Sequence, residues 1–276
     1  MRKTWSLIML VLCVFASALS ACNQSAETEA NMNGSKMVTS SASSNQFESE
    51  TLSPDEKAAI DRAAENVSAP SDMVEYLHDR QQMESDAQKS DIVVTVNGKP
   101  IYQWMIDIGM LDNQITVQNG RKQINESDMP SEEKERLLSQ LTIKSEEEIL
   151  QQIIRRTVVE QVAAKNVEAV SDEEALQEAT QVLQQLKQQL ISEDGTTRMQ
   201  AEQNYGSIKA TYVAYGVTED EYLVKYACPS YKIMMTNERL YDHFTAGLSD
   251  EEKKNASALY QSYIDKAVEE AKIKRN

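Results

Sequence analysis

The alternation of apolar and polar positions changes period at one place in this chain, and the rest of the pattern is organised around it. Over Asp91 to Met110, Val93, Val94, Val96 and Ile101 are strand formers. Asn97-Gly98 between them offers the positive φ angles of a two-residue hairpin turn. After Ile101 the period lengthens: Trp104, Met105, Ile108 and Leu111 recur at three- and four-residue intervals, the spacing of one helix face. The pattern predicts a short hairpin feeding directly into an amphipathic helix, with helix everywhere after it.

Helix starts and stops can be read on both sides of that unit. Ser53-Pro54-Asp55-Glu56 supplies a capping serine, a proline at the first helical position and acids in the first turn, which predicts a helix to about Asn66. A second helix is expected from Ser71 to about Ala87, with Met73, Val74, Leu77 and Met83 on one side. Both are weakly apolar, so residues 51–90 read as accessory helices. Downstream, Asn119-Gly120 predicts the end of the helix that follows the hairpin, and Met129-Pro130-Ser131-Glu132 a restart.

From Ser145 the signal is strong. Ile149, Ile153, Ile154, Val158 and Val162 form a continuous apolar stripe, behind Glu146 to Glu148 at the positive end of the helix dipole. Ser171-Asp172-Glu173-Glu174 is a capping box, and Leu176, Ala179, Leu183, Leu186 and Leu190 follow at three- and four-residue steps. Two heptads are too short for an extended coiled coil. The expectation is a helical hairpin whose two stripes pack together.

Gly195 marks a break, followed by a helix over about Thr197 to Tyr215 whose pattern Gly206 interrupts. Gly216 then ends it and Thr218-Glu219-Asp220-Glu221 starts another. Tyr222, Leu223, Tyr226, Ile233, Met234, Leu240, Tyr241 and Phe244 keep helical spacing across Pro229. That proline cannot donate to the Lys225 carbonyl, so a kink is expected there. Ser249-Asp250-Glu251-Glu252 caps a last helix bearing Leu259, Tyr263, Ile264 and Val268, ahead of the basic Lys272-Ile273-Lys274-Arg275. Its apolar face needs a partner, so it is expected to return onto the first half of the domain.

The fold class that follows is mainly α with one small β-hairpin. The beginning of the chain reads differently. Arg2 and Lys3 precede an apolar run from Leu7 to Leu19, too short to span a membrane, and the run ends in Leu19-Ser20-Ala21-Cys22. Small residues before a cysteine match the bacterial lipobox. Residues 1–21 are therefore expected to be a lipoprotein signal peptide, with the Cys22 thiol acylated, for example by palmitate. Residues 22–50, rich in Ser, Ala, Asn, Thr and Glu with Phe47 the only aromatic, cannot bury enough apolar surface to order themselves. As a flexible coil this lipidated tether would span about 30 Å.

Charge and cysteine usage narrow the partners. The net charge of −16 becomes more negative by two if Arg2 and Lys3 are removed. With no basic stripe to meet phosphates, nucleic acid is not an expected partner. The same charge disfavours lying on an anionic leaflet, so attachment to the membrane would come through the lipid anchor; two or more acyl chains hold stably, each buried methylene contributing about 0.8 kcal/mol. Acylation of Cys22 would leave Cys228 as the one remaining mature cysteine, which excludes an internal disulfide. The expected location is extracytoplasmic and lipid-anchored to a cell membrane.

No catalytic constellation stands out. His78 and His243 are the only histidines, and neither has a second ligand at metal spacing, so no metal or cofactor is expected. Cys228 precedes His243 by about four helical turns, too far for a thiolate pair. Glu146-Glu147-Glu148 reads as cap charge, and eight glycines leave no phosphate-cradling loop. The chain is not expected to be an enzyme. Tyr212, Tyr215, Tyr222, Tyr226, Tyr231, Met234 and Met235 crowd the second half. Such side chains are ordinary core, although flexible methionines also line adaptable apolar grooves.

Three of these stretches carry a resemblance. The hairpin VVTVNGKPI leading into a helix, the stretch EEEILQQIIRRTVVEQVAAKNVEAVSDEEA and the later YGVTEDEYLVKY follow one another as successive parts of the SurA/PrsA-type N-terminal chaperone domain do. The likeness spans roughly residues 91 to 244, and it implies that 91–276 is a SurA N-terminal-like helical chaperone domain. Two departures stand out. Tyr102 lies where that family usually places a capping Ser or Thr. Only Thr245 to Leu248 separate the helix ending near Phe244 from the last cap, which leaves no room for the family's parvulin-type isomerase domain.

The resemblance thus implies a membrane-anchored, ATP-independent chaperone for unfolded or partly folded secreted proteins, without isomerase activity. The alternative is a structural or adaptor lipoprotein that binds one specific envelope protein. The face combining Trp104, Met105 and Ile108 with Tyr222, Tyr226 and Met234 is the expected client-binding groove.

Overall fold

The computed structural model describes residues 53–86 and 91–276, so the signal segment, Cys22 and the tether lie outside the described residues. Helices hold 77% of what is described, and the class is mainly α. The elements are helix α1 (Pro54–Asn66), α2 (Ser71–Asp86), strands β1 (Ile92–Val96) and β2 (Lys99–Tyr102), α3 (Gln103–Glu126), α4 (Ser131–Gln140), α5 (Glu146–Asn166), α6 (Asp172–Gln189) and α7 (Gly195–Tyr215). A short α8 (Glu219–Tyr222) then runs through a π-helical turn (Leu223–Ala227) into α9 (Cys228–Ala246), and a 3₁₀ turn (Glu252–Asn255) leads to α10 (Ala256–Glu269) and strand β3 (Ile273–Arg275).

Asn97 and Gly98 adopt φ of +52° and +87°, which turns the chain between β1 and β2. The sheet is larger than the hairpin pattern predicts. β3 pairs antiparallel with the other side of β1, giving the order β2-β1-β3. The basic tail Lys272 to Arg275 carries no strand alternation of its own, so only the approach of β1 reveals it. Tyr102 caps α3 without a side-chain bond; the Gln103 N–H instead donates to the Asp91 carbonyl at 2.9 Å.

Four capping boxes form with both reciprocal bonds, at Ser53/Glu56, Ser145/Glu148, Ser171/Glu174 and Thr218/Glu221. Ser249 and Glu252 exchange the same bonds but open the 3₁₀ turn, and α10 begins only at Ala256. Two glycine stops are corrected. α3 continues through Gly120 to Glu126, because the missing side chain there admits the Leu141 side chain: an added Cβ would meet Leu141 Cδ1 at 2.9 Å. Gly195 is the first residue of α7, capped by Asp194, rather than a break before it.

The stripes of α5 and α6 do not pack on each other, contrary to the helical-hairpin expectation. Ile149, Ile153, Ile154 and Val158 of α5 join Val94, Val96, Ile101 and Ile106 beneath the sheet. Val159 and Ala163 meet Leu240 of α9 and Ile264 of α10. The stripe of α6 (Ala175, Ala179, Leu183, Leu186) instead faces Ala201, Tyr205 and Ile208 of α7 and the turn around Tyr222, Leu223 and Tyr231. The sheet and the returning last helix have taken the face of α5 that a hairpin partner would need.

α10 does return to the first half of the domain, reinforced by Arg155, which bonds Asp265 and, at 2.8 Å, Gln261. The first two helices are packed: Tyr76 and Leu77 of α2 are buried with Ala210 and Ala214 of α7, and Leu111 and Ile115 of α3 lie against them. α7 bends no pattern at Gly206 without cause. A Cβ there would lie 2.9 Å from the Ser68 carbonyl oxygen, so glycine lets the α1–α2 connection cross α7 closely. Lys209 one turn later donates to the carbonyls of Ala64, Glu65 and Val67 at 2.7–3.1 Å and so closes the end of α1.

Candidate client-binding surface

The surface is built from the interrupted helix. Gly216 (φ +61°) ends α7, and the Thr218/Glu221 box starts α8 at once. Pro229 then withholds its donor. The chain answers with a wider turn, in which the Cys228 N–H bonds the Leu223 carbonyl five residues back. Where a kink is expected, the structure has a π turn just ahead of the proline. Within it Leu223 and Ala227 point into the core while Val224 is 58% exposed.

Aromatic side chains line the junction. Tyr215 and Tyr226 meet edge-on at 4.7 Å between centroids, Tyr212 and Tyr222 at 5.4 Å, and Tyr222 stacks on Tyr226 at 6.3 Å. Their polar ends are fixed from below. Glu219 Oε2 accepts from the Tyr205 and Tyr212 hydroxyls at 3.0 and 3.3 Å, and Lys187 Nζ donates to Glu219 Oε1 at 3.2 Å. Burial first, and then the Glu219 carboxylate, push both phenols well above the ordinary tyrosine range, so they stay protonated donors.

A second polar group spans α2 and α3. Arg80 Nη1 donates to both oxygens of the buried Asp112 at 2.8 Å, the Tyr76 hydroxyl donates to the same carboxylate, and Arg80 Nε reaches Glu84 at 3.1 Å. Burial opposes the Arg80 charge, but Asp112, Tyr76 and Glu84 more than offset it and the guanidinium is held fully charged. The network ties α2 to α3 and has the form of a strut.

The residues expected to form the groove fall in different packing clusters. Met105 is half-buried against the sheet core, Trp104 is half-buried beside it in sequence, and Ile108 is buried. Tyr222, Tyr226 and Met234 belong to the α6–α7 core instead: Tyr222 is only 4% exposed, whereas Tyr226, Met234 and Met235 are half-buried on its outside. Ile108 and Tyr222 are thus covered in this conformation. Sequence reading passed over Val213 (55% exposed) and Val224, whose signal is that each falls off the apolar stripe of its own helix.

Elsewhere the chemistry is plain. His78 and His243 are exposed. Cys228 is buried, its Sγ lies 3.5 Å from the Asp172 carbonyl, and burial followed by Asp172 pushes the thiol up, which leaves it a poor nucleophile. Among the described residues no helix is long and apolar enough to cross a membrane. Comparison with family models, with curated proteins and with solved structures finds no match for this chain.

Proposed function

We propose that the protein is an extracytoplasmic, membrane-anchored chaperone that holds extended, unfolded segments of secreted proteins without ATP and without isomerase activity. The observation that carries this reading is the outer layer of the α6–α7 core. Tyr226, Met234 and Met235 lie half-buried there, and Val224, two residues before Tyr226, is exposed on the π turn. Unfolded chains present scattered apolar side chains of varied shape, and flexible, polarizable methionines beside tyrosine rings accommodate such variety. The hairpin-to-helix motif and the two capping steps that resemble the SurA/PrsA-type domain support the same reading, as does the lipobox ending in Cys22.

The test is a survey of unrelated aggregation-prone clients. The purified protein should suppress aggregation of several of them at near-stoichiometric ratio; capture of one stoichiometric envelope protein with no general suppression would make it an adaptor instead. Anchoring has its own measurement. Cys22→Ala should release the protein from membranes at high salt, and full retention of that variant would overturn the lipid anchor, since this acidic chain has no electrostatic reason to stay.

A further inference from the structure

We propose that the outer edge of β1 is a binding site for an extended polypeptide segment, apolar and basic at alternate positions, which the chain's own β3 occupies in this structure. The proposal deepens the client reading by naming a backbone surface, and it relies on that reading only for who the partner is.

The two edges of this small sheet are treated differently. On the β2 side, the two-residue turn sets Val96 opposite Lys99 as the closing pair. The next residue of β2, Pro100, lacks an N–H, which blunts that edge as prolines do on edge strands. On the other side β1 is regular over Val94 to Val96, past the irregularity between Ile92 and Val94, and among the described residues β3 is the strand that covers it. The registers are Val94 opposite Arg275, Thr95 opposite Lys274 and Val96 opposite Ile273.

β3 is held by its backbone ladder and by side-chain bonds at its ends, where Arg275 bonds Glu147 and Asn276 Nδ2 donates to the Ile92 carbonyl at 3.1 Å. The Asn97 N–H donates to the Lys272 carbonyl at 2.9 Å, the Asn276 N–H to the Val93 carbonyl at 3.0 Å, and Asn97 Oδ1 accepts from the Lys272 N–H at 2.8 Å. All three residues of β3 are exposed, and Ile273, at 42%, is more than half covered, so its side chains add little to the core. Val94 and Val96 are fully buried, but they pack on Ile101 of β2, Ile106 of α3 and the α5 stripe, all of which remain if β3 leaves. A strand of three exposed residues is easily released, while the edge it covers is held rigid from behind.

Backbone pairing supplies affinity in strand addition and alternate side chains supply specificity. Here Ile273 and Arg275 project on the same face as Val96 and Val94, and Arg275 bonds Glu147 at the start of α5. Glu147 therefore selects a cation two residues after an apolar side chain. The acidic triplet Glu146 to Glu148 acquires through this member a recognition role beyond capping.

The probe is a labelled peptide of residues 271–276, titrated against the full chain. A segment that must wait for β3 to detach binds weakly, by the fraction of time the edge is open. Lys274→Pro removes a ladder donor from β3 without touching the core, and should tighten peptide binding by about tenfold or more if β3 is the competitor. Thr95→Cys with Lys274→Cys joins directly opposed residues; the oxidised form should lose the peptide and the reduced form regain it. A control peptide carrying Ile273→Ser and Arg275→Glu should bind poorly, and Glu147→Arg should weaken binding of the native peptide.

Equal binding to the oxidised and reduced forms would overturn the proposal, as would absence of binding to Lys274→Pro. Equal binding of the control peptide would overturn the apolar-and-basic specificity. If peptide binding follows the lock while no variant suppresses client aggregation, the edge site stands and the client reading fails.

Discussion

Tyr222 and Tyr226 are one helical turn apart and stack on each other, yet they belong to different environments. The first is sealed inside the α6–α7 core and the second lies half-buried on its rim. Truncating a sealed aromatic removes transfer free energy and leaves a cavity, so Tyr222→Ala should cost about 3–5 kcal/mol. Tyr226→Ala and Met234→Ala should cost visibly less, and Val224→Ser, at an exposed position, should stay within about 0.5 kcal/mol. Urea midpoints and client affinity measured on the same variants separate the roles. Rim residues used for binding lose affinity with little change in midpoint; if Tyr226→Ala and Met234→Ala drop the midpoint as far as Tyr222→Ala, they are core and the client surface lies elsewhere.

At the scale of elements, three glycines that look alike in sequence do different work. Gly120 lies inside α3 against the flexible end of Leu141, so a methyl group there can be accommodated by a rotamer shift. Alanine also gains helix propensity, about 0.8–1 kcal/mol, and Gly120→Ala should be near neutral or stabilising. Gly206 faces a backbone oxygen that cannot step aside. Gly206→Ala should cost about 1–3 kcal/mol through overpacking, and should loosen the α1–α2 connection. Gly216 has open space around it but a left-handed backbone, so Gly216→Ala should cost about 1–2 kcal/mol for conformation alone. Thermal unfolding of the three variants, with hydrogen exchange over Ala64 to Ser68, reads all three effects. Equal destabilisation by all three would contradict this reading of their surroundings.

For the molecule as a whole, the buried phenols set the alkaline limit. Burial, chiefly, raises Tyr76, Tyr205, Tyr212 and Tyr222 above the ordinary range in the folded state. A group whose folded pKa is raised holds its proton more tightly folded than unfolded. Its contribution is therefore complete below the unfolded value of about 10 and is lost as pH climbs above it. The expected outcome of an alkaline titration is that the tyrosinate absorbance of these rings appears together with loss of helical circular dichroism. Tyrosinate from all rings ahead of any helix loss would show that water reaches the array.

The sequence by itself determined local structure wherever the cause is local. Asn97-Gly98 fixes its turn by φ preference, Ser and Thr three residues before Glu fix four helix starts, and Gly216 fixes a stop, because each needs only its neighbours. The mainly α class and the return of the last helix follow from period and from the need to cover an apolar stripe. The tertiary structure decided which stripe meets which. α5 and α6 are adjacent in sequence but serve different cores, since burial rewards any apolar partner and contains no instruction about order.

The same reason puts the residues of the expected client surface in different packing clusters. Trp104, Met105 and Ile108 have the right composition to join Tyr222, Tyr226 and Met234, but composition cannot say that Met105 packs with the sheet and α5 while Tyr222, Tyr226 and Met234 pack with α6 and α7. β3 is the extreme case. Lys272 to Arg275 carry no pattern that marks a strand, and they become one because β1 presents an open row of backbone donors and acceptors to whatever extended segment arrives.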